Sequence, residues 1–290
     1  MPLFSIHTPP MHHLLWPSAL LMFFTFSEVS AGPVDCGSRP ISLALFHHGF
    51  GYYEQDGQRQ GIFPDLTDEL ALRSGCPFLP QLVSVARMWA DIATGDIDMI
   101  IVGRRTPERD QVAWFIPQAI TKDYALVHAS AAHTVHSAAD FLEQKRLLFG
   151  AVRQVAKSPA QDRWLEQLRR EGRVEESVNT DLLFEKLRNG HVAAIFLDPP
   201  TFRKLMRDLP VDGQVVLQDW FPDAPGFLAN LVLAKSRFSE TEALRWRVII
   251  REMHRDGTLE RIYSRYLSLE EAKRIVDFKD IDGPLNPPDL

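Results

Sequence analysis

Several kinds of chemistry are excluded by motifs that this sequence lacks. It has no GxSxG, HExxH or CxxC motif and no phosphate-cradling glycine-rich loop, and its histidines do not follow a recognised metal-ligand spacing. Basic residues never gather in a run and number 32 against 38 acidic ones, so the electrostatic footprint of a nucleic-acid-binding protein is missing. We therefore expect no catalytic residues, no metal, no cofactor and no nucleic-acid partner.

The amino-terminal region has an apolar segment that is too short to cross a membrane. Residues 14–26 give an apolar run of about 13 residues, whereas a transmembrane helix needs about 20. Small residues at Val29-Ser30-Ala31 then match a signal-peptidase site. We predict a signal peptide over residues 1–31, cleaved after Ala31, and a periplasmic mature protein. Because no Lys or Arg precedes Arg39, a start at Met11 and an uncleaved anchor stay open as alternatives.

Cysteine is scarce, with only Cys36 and Cys76 in the chain. An even pair in an exported protein predicts a disulfide. The bond would close a loop of about 40 residues and stabilise the fold by roughly 4 kcal/mol in the chain-entropy model. The charge of Asp35 directly before Cys36 is incompatible with a lipid-anchor signal. Two free buried thiols are the alternative.

Apolar strand-like runs alternate with helical periodicity, first over residues 41–128 and again over 137–197. This order predicts mainly parallel sheets with helices on both faces. The tail from Asp280 is rich in proline, so we expect it to be loosely ordered. Strands are predicted at 41–46, 78–85, 98–102, 124–128, 146–152, 174–178, 192–197 and 231–234, and helices at 64–73, 86–94, 137–144, 158–172, 180–189 and 240–266, the last broken near Asp256-Gly257.

Five segments, in this order along the chain, carry a resemblance to one known family. They are 52–57 (YYEQDG) with Gly61 and Asp65-Leu66; 87–89 (RMW) with 95–99 (GDIDM); 103–109 (GRRTPER) with 113–115 (AWF); 190–198 (GHVAAIFLD); and 253–266 (MHRDGTLERIYSRY). Together they resemble the periplasmic amino-acid-type solute-binding proteins of ABC importers, family 3.

The resemblance implies an α/β, two-lobed type II periplasmic-binding-protein fold, with two mixed sheets flanked by helices and a double-crossover hinge. The chain would cross between lobes near His128 and near Asn230. Lobe one would comprise 32–126 plus 231–290, and lobe two 127–230. The ligand would bind in the cleft between the lobes, which agrees with the rule that α/β sheets bind ligands beyond the carboxyl ends of their strands.

The same resemblance assigns two charged ligand contacts. The family's arginine at the position of Arg109 grips a ligand carboxylate, which the planar guanidinium fork matches. Its aspartate at the position of Asp198 binds the ligand's ammonium group. The alternatives are an exposed Arg109 paired with Glu108 or Asp110, and an Asp198 that caps the helix after Pro199-Pro200.

Aromatic residues supply the candidate apolar contacts. Family members place an aromatic ring against the apolar part of the ligand in the loop that holds Phe50, Tyr52 and Tyr53. We expect one of the three to line the cleft and the others to pack in the core or at a lobe edge. Trp89 is a further candidate, with packing against the sheet as its alternative.

Two departures from the family pattern change the expected ligand. Arg104, with Arg105 beside it, replaces a hydroxyl residue, and 153–158 (RQVAKS) replaces a Gly-Thr-Thr-like turn. With Arg153 and Lys157 at its border, the cleft would be electropositive and would favour a ligand with extra negative charge. Outward-pointing, solvated side chains are the alternative.

The sequence thus predicts a monomeric solute-binding protein that captures a small polar ligand, an amino acid or related organic anion, for ABC-type import. Its partner would be a membrane permease. A sensory or accessory protein of the same fold, which presents its ligand state to a receptor or enzyme system, is the main alternative. A dehydratase-like or lytic enzyme on this fold is the third, although no nucleophile–base pair is visible.

Overall fold

The computed structural model describes residues 1, 33–153, 155, 157–209, 213–279 and 285–286. The chain divides into two units, Met1–Ser30 and Ala31–Leu290. Only Met1 of the first unit is described, so the predicted signal peptide and its cleavage site lie outside the described residues. Among the described helices, none combines the length and the apolar character that a membrane span requires.

Strands and helices alternate through the second unit. In chain order the strands are β1 (Ile41–Leu45), β2 (Tyr53–Gln55), β3 (Gln58–Gln60), β4 (Phe78–Leu82), β5 (Met99–Gly103), β6 (Ala113–Thr121), β7 (Tyr124–His128), β8 (Phe149–Val152), β9 (Val174–Ser177), β10 (Ala194–Leu197), β11 (Val215–Gln218) and β12 (Phe227–Ala234). The helices are α1 (Ile62–Ser74), α2 (Val85–Thr94), α3 (Ala129–Ala132), α4 (Ala138–Glu143), α5 (Pro159–Arg170), α6 (Thr180–Arg188), α7 (Pro199–Asp208), α8 (Glu240–Arg255), α9 (Thr258–Ser264) and α10 (Leu269–Val276), with a 3-10 turn at Arg109–Gln111.

The strands form two five-stranded mixed sheets and a small hairpin, β2–β3. The first sheet has the order β4-β1-β5-β12-β6, in which β1 runs parallel to β4 and β5 while β12 runs antiparallel to β5 and β6. The second has the order β11-β7-β10-β8-β9, with parallel pairs at β8 and antiparallel pairs at β7. The predicted fold of two mixed sheets flanked by helices is confirmed.

We call the described residues of 33–121 and 227–286, built on the first sheet, lobe one, and those of 124–218, built on the second, lobe two. The chain passes from the first sheet to the second at 122–123 and returns over 219–226. The crossings were predicted near His128 and Asn230, a few residues beyond these connections. Strand β7 pairs along its whole length within the second sheet, and β12 pairs with β6 from Phe227 onward.

Two apolar cores sandwich the second sheet because side chains alternate along its central strands. On β7, Ala125 and Val127 face one core and Leu126 faces the other. On β10, Phe196 and Ile195 divide in the same way. A strand buried on both faces carries a continuous apolar run, which is why these segments were predictable from sequence.

Local signals fix several element ends as predicted. Ser158 caps α5 in a reciprocal capping box with Gln161, and Gly75 ends α1 in the left-handed conformation at φ 70°. Gly257, at φ 75°, separates α8 from α9 where the break was predicted. The α6 cap is Asn179, one residue before the expected Thr180.

Cys36 and Asn286, near the two ends of the described part of lobe one, are attached to its body. The predicted disulfide between Cys36 and Cys76 is present, with a Cα–Cα distance of 5.2 Å. In the tail, the Asn286 side chain accepts from the Phe115 amide at 3.0 Å and donates to the Ala113 carbonyl at 2.8 Å. Asn286 is thus anchored to edge strand β6, and most of the tail that was expected to be loosely ordered lies outside the described residues.

Candidate functional site

A cavity of about 770 Å³ is lined by residues of both lobes. Four of its polar wall residues follow the carboxyl ends of strands: His48 after β1, Arg104 after β5, Arg153 after β8 and Asp198 after β10. In α/β proteins this is where ligands bind, because loops from neighbouring strands converge there. The geometry makes the cavity the candidate ligand site.

Arg109 lies in the cavity wall, in the 3-10 turn that follows Glu108. Its guanidinium carbon lies 3.7 Å from the centre of the Trp89 ring, and Nη1 donates to the Arg104 carbonyl at 2.8 Å. Burial and the nearby charge of Arg104 lower its pKa to about 10. Of the two alternative partners, Asp110 pairs with Arg105 at 2.6 Å, and Glu108 acts on Arg109 as a nearby opposite charge.

Asp198 also lies in the wall, but protein groups already bind its carboxylate. Oδ1 accepts from the Thr201 amide at 3.2 Å and caps α7, while Oδ2 lies 2.8 Å from Nε2 of His48. Burial would raise the pKa of Asp198, but the charge and hydrogen bond of His48 and the hydrogen bond of Thr201 lower it to about 2. The helix-capping alternative named from the sequence is thus present beside the cavity position.

His48 belongs to lobe one, so its contact with Asp198 joins the two lobes. Burial lowers the pKa of His48, yet the charge and hydrogen bond of Asp198 outweigh this and raise it above its ordinary value of 6.5. The imidazole stacks on Phe63, with ring centres 5.9 Å apart. The geometry therefore favours a protonated His48 paired with an ionised Asp198.

Arg104 places buried guanidinium nitrogens in the cavity wall. Nη1 and Nη2 are both buried, and neither has a hydrogen-bond partner among the described residues. The guanidinium lies 3.3 Å from the centre of the Phe227 ring. Burial lowers its pKa against the opposing effect of Asp123, Asp162 and Asp198. A buried cation without a partner is costly, which indicates a site for an external acceptor.

Asp123 lies at the first crossing between the lobes and in the cavity wall. Its Oδ1 is 3.2 Å from the Lys157 ammonium, and its buried Oδ2 has no hydrogen-bond partner in the described part of the chain. Lys157 also donates to the Phe196 carbonyl at 3.1 Å. This ion pair was not anticipated from the sequence, since Asp123 belongs to no motif.

Of the remaining predicted site residues, Trp89 and Arg153 line the cavity, whereas Phe50 and Tyr52 do not. Trp89 lies beneath Arg109 in the cavity wall and also stacks with Phe115 of strand β6. Arg153 is exposed at the end of β8.

The aromatic loop turns away from the cavity instead of lining it. Phe50 packs against Tyr266, and the Tyr52 hydroxyl donates to Glu54 at 3.0 Å. Tyr53 lies beneath the Lys204 ammonium, outside the wall. The turn closes where the Gly51 amide donates to the His48 carbonyl at 2.7 Å, and this leaves Phe46 and His48 facing the cavity.

The same loop contacts lobe two through its backbone. The Phe50 amide donates to the Pro200 carbonyl at 3.0 Å. Gly49 has φ +52°, and a Cβ there would lie 2.6 Å from the Pro200 oxygen. Only glycine allows this approach together with this backbone conformation. Farther out, Arg203 of lobe two pairs with Glu271 of lobe one at 2.7 Å.

Two mixed sheets with a shared cavity at their carboxyl ends define a ligand-binding protein of the type II periplasmic-binding class. The chain belongs to the bacterial extracellular solute-binding proteins, family 3, whose family model matches residues 47–269. No curated protein sequence matches the chain.

Three similar solved structures illustrate this relationship. The arginine-, lysine-, histidine-binding protein ArtJ of Geobacillus stearothermophilus has 18% identity and a TM-score of 0.65, covering 81% of this chain and 100% of ArtJ. The substrate-binding protein AbpA of Streptococcus pneumoniae, bound to L-arginine, has 18% identity and a TM-score of 0.64, covering 80% and 95%. A histidine kinase sensor domain has 13% identity and a TM-score of 0.65, covering 79% and 96%. At these identities the likeness shows the fold.

Proposed function

We propose that this protein captures a small polar ligand, an amino acid or related organic anion, between its lobes and delivers it to an ABC-type permease. The observation that carries the proposal is the placement of Arg109 from lobe one and Asp198 from lobe two in the wall of one cavity. The protein acts by binding, without chemistry of its own. The family's name and the amino-acid-binding structural neighbours support this function.

Binding is coupled to the relative position of the lobes. The His48–Asp198 pair and the Phe50–Pro200 hydrogen bond join the lobes beside the cavity. A ligand that contacts both walls stabilises the closed arrangement only through its greater affinity for it. The two connections at 122–123 and 219–226 are the hinge in this proposal.

We propose a periplasmic location. The predicted signal peptide, the extracellular family and the Cys36–Cys76 disulfide support it, because disulfides persist in oxidising compartments. Secretion of the full chain with loss of residues 1–31, shown by mass spectrometry of the periplasmic fraction, tests the location.

Calorimetric titration of the purified mature chain with the standard amino acids and short organic acids tests the binding function. We expect saturable binding of at least one compound, together with compaction in small-angle X-ray scattering. Absence of binding across the whole set would contradict the proposal. Loss of uptake of the bound compound in a deletion strain separates import from binding alone.

A sensory role is the second candidate, favoured by the structural likeness to a histidine kinase sensor domain. In that case deletion would leave uptake unchanged and abolish a transcriptional response to the ligand. Permease and ATPase genes beside the coding sequence favour import, whereas sensor genes favour signalling.

A further inference from the structure

We infer that the ligand is an organic anion with an apolar body and no ammonium group. The inference rests on the proposed function, because it takes the cavity between the lobes as the ligand site. It departs from the zwitterion that the positions of Arg109 and Asp198 would suggest.

The first argument is the charge of the wall. Four basic residues line the cavity, Arg104, Arg109, Arg153 and Lys157, against two carboxylates, Asp123 and Asp198. His48, paired with Asp198, adds further positive charge when protonated. A low-dielectric cavity strengthens the effect of this excess, which attracts a ligand of net negative charge.

The second argument is that both carboxylates are already neutralised. Asp198 is bound by His48 and Thr201, and Asp123 by Lys157. An ammonium group next to either carboxylate would approach one of these cations. The free Oδ2 of Asp123 is suited to a neutral donor such as a ligand hydroxyl, which brings no second charge beside Lys157.

The third argument concerns the guanidinium hydrogen-bond donors of Arg104 in lobe one. Nη1 and Nη2 of Arg104 are buried and have no hydrogen-bond partner within the described ranges, and the charges of Arg104 and Arg109 disfavour each other. Phe227 and Trp89 hold the two guanidinium groups by stacking. A carboxylate bound to Arg104 satisfies both nitrogens through its fork geometry and relieves the repulsion between the arginines.

The fourth argument is the apolar remainder of the cavity. Its volume of about 770 Å³ falls within the range of roughly 300–1,000 Å³ for pockets that hold drug-sized ligands. Leu82 of lobe one and Val178 of lobe two, exposed by 45% and 65%, extend this surface to the mouth. The larger apolar side chains of the wall include Phe46, Phe63, Met88, Trp89, Phe149 and Phe227.

Matched ligands that differ only in charged groups test the inference. Phenylalanine, 3-phenylpropanoate and 2-phenylethylamine share one body, as do leucine, 4-methylpentanoate and 3-methylbutylamine. In calorimetry we expect at least one of the two acids to bind about tenfold or more tightly than its amino acid, and neither amine to bind.

Amino acids that bind as tightly as their deaminated acids would overturn the inference and leave the proposed function standing. Binding restricted to short dicarboxylates such as succinate would overturn the apolar body. No binding by any amino acid or organic acid would overturn both.

A variant isolates the arginine that anchors the anion. Arg104→Met keeps an apolar stem over Phe227 and removes the charge. We expect anion affinity to fall about tenfold or more, while the Tm of the ligand-free protein stays constant or rises because an unpaired buried charge is gone. Arg170→Met, at an exposed position in the last turn of α5, is the matched control and should change neither quantity. Unchanged anion affinity in Arg104→Met, with or without a lower Tm, would overturn the assignment.

Discussion

Two sides of the cavity differ in how their buried charged groups are bonded to the rest of the protein. On one wall, Arg104 and Arg109 stack on aromatic rings, and the terminal nitrogens of Arg104 have no partner among the described residues. On the other, Asp198 is bound by His48 and by the amide of Thr201. We call the side that holds Arg104 and Arg109 the arginine wall, and the side that holds Asp198 the aspartate wall. Among the described residues, the terminal nitrogens of Arg104 thus lack an acceptor, whereas both oxygens of Asp198 have protein partners.

The pKa values show the same contrast. Burial and the mutual charge of the arginines lower the pKa of Arg109 to about 10, so its surroundings disfavour the charged form. The pKa of Asp198 is lowered to about 2 because its partners outweigh burial and favour the charged form. In the proposed binding function, a ligand would therefore gain most at the arginines, and Asp198 would serve mainly to hold the lobes together.

The largest expected effect comes from removal of Asp198. Asp198→Ala leaves His48 without its partner and removes the α7 cap, so we expect a loss of about 3 kcal/mol in the free energy of unfolding. Urea denaturation of the ligand-free protein measures this. Asp181→Ala, at an exposed position in the first turn of α6, is the control and should cost well under 1 kcal/mol. Equal losses in both variants would show that the aspartate wall is not a stabilising contact.

Much of the fold was predictable because its signals are local. The doubly buried strands β7 and β10 carry continuous apolar runs, and the break at Gly257 has a residue suited to its conformation. Strand β6 was largely missed because Pro117 interrupts it. The strand lies at a sheet edge, and a register shift opposite Pro117 accommodates the missing donor.

The cavity wall was predictable at positions that the family resemblance marked, including Arg153 and Lys157, where the family's turn is replaced. Arg109, Arg104 and Asp198 lie in segments that resemble the family, and all three reach the cavity wall. His48 and Asp123 were not assigned, since their roles depend on contacts 150 residues along the chain and on a crossing between sheets. One sequence signal could have identified His48. It lies shortly after the carboxyl end of strand β1, as Asp198 lies after the carboxyl end of β10, and ligands bind at such ends.

Removal of Arg109 should affect ligand binding more than stability. Arg109→Ala is expected to weaken binding by about 2 kcal/mol, close to a thirtyfold rise in Kd, because a charged contact to the ligand is lost. The free energy of unfolding of the ligand-free protein should change by less than about 1 kcal/mol, since burial already disfavours this charge. Calorimetry and urea denaturation on the same preparation measure the two quantities. If Arg109→Ala lowered the free energy of unfolding as much as Asp198→Ala does, the claim that the two walls differ in their contribution to stability would be wrong.

The smallest expected effect is a pH dependence of the aspartate wall. The folded-state pKa of His48 is raised above 6.5, so its contribution is fully present below about pH 6.5 and is lost as pH rises through the folded-state value. The pKa of Asp198 is lowered from 3.8 to about 2, so its contribution is present above pH 3.8 and is lost as pH falls toward 2. The His48–Asp198 pair therefore stabilises the fold most between about pH 3.8 and pH 6.5. The charge of Lys157 lowers the pKa of His48, and the charge of Asp123 raises it.

We expect His48→Gln to cost about 1 kcal/mol in the free energy of unfolding near pH 5.5 and progressively less at alkaline pH, measured by urea denaturation across the pH series. His133→Gln, at an exposed position, should show no such trend. A His48→Gln effect of the same size at every pH would mean that the imidazole contributes through packing on Phe63 and not through its charge.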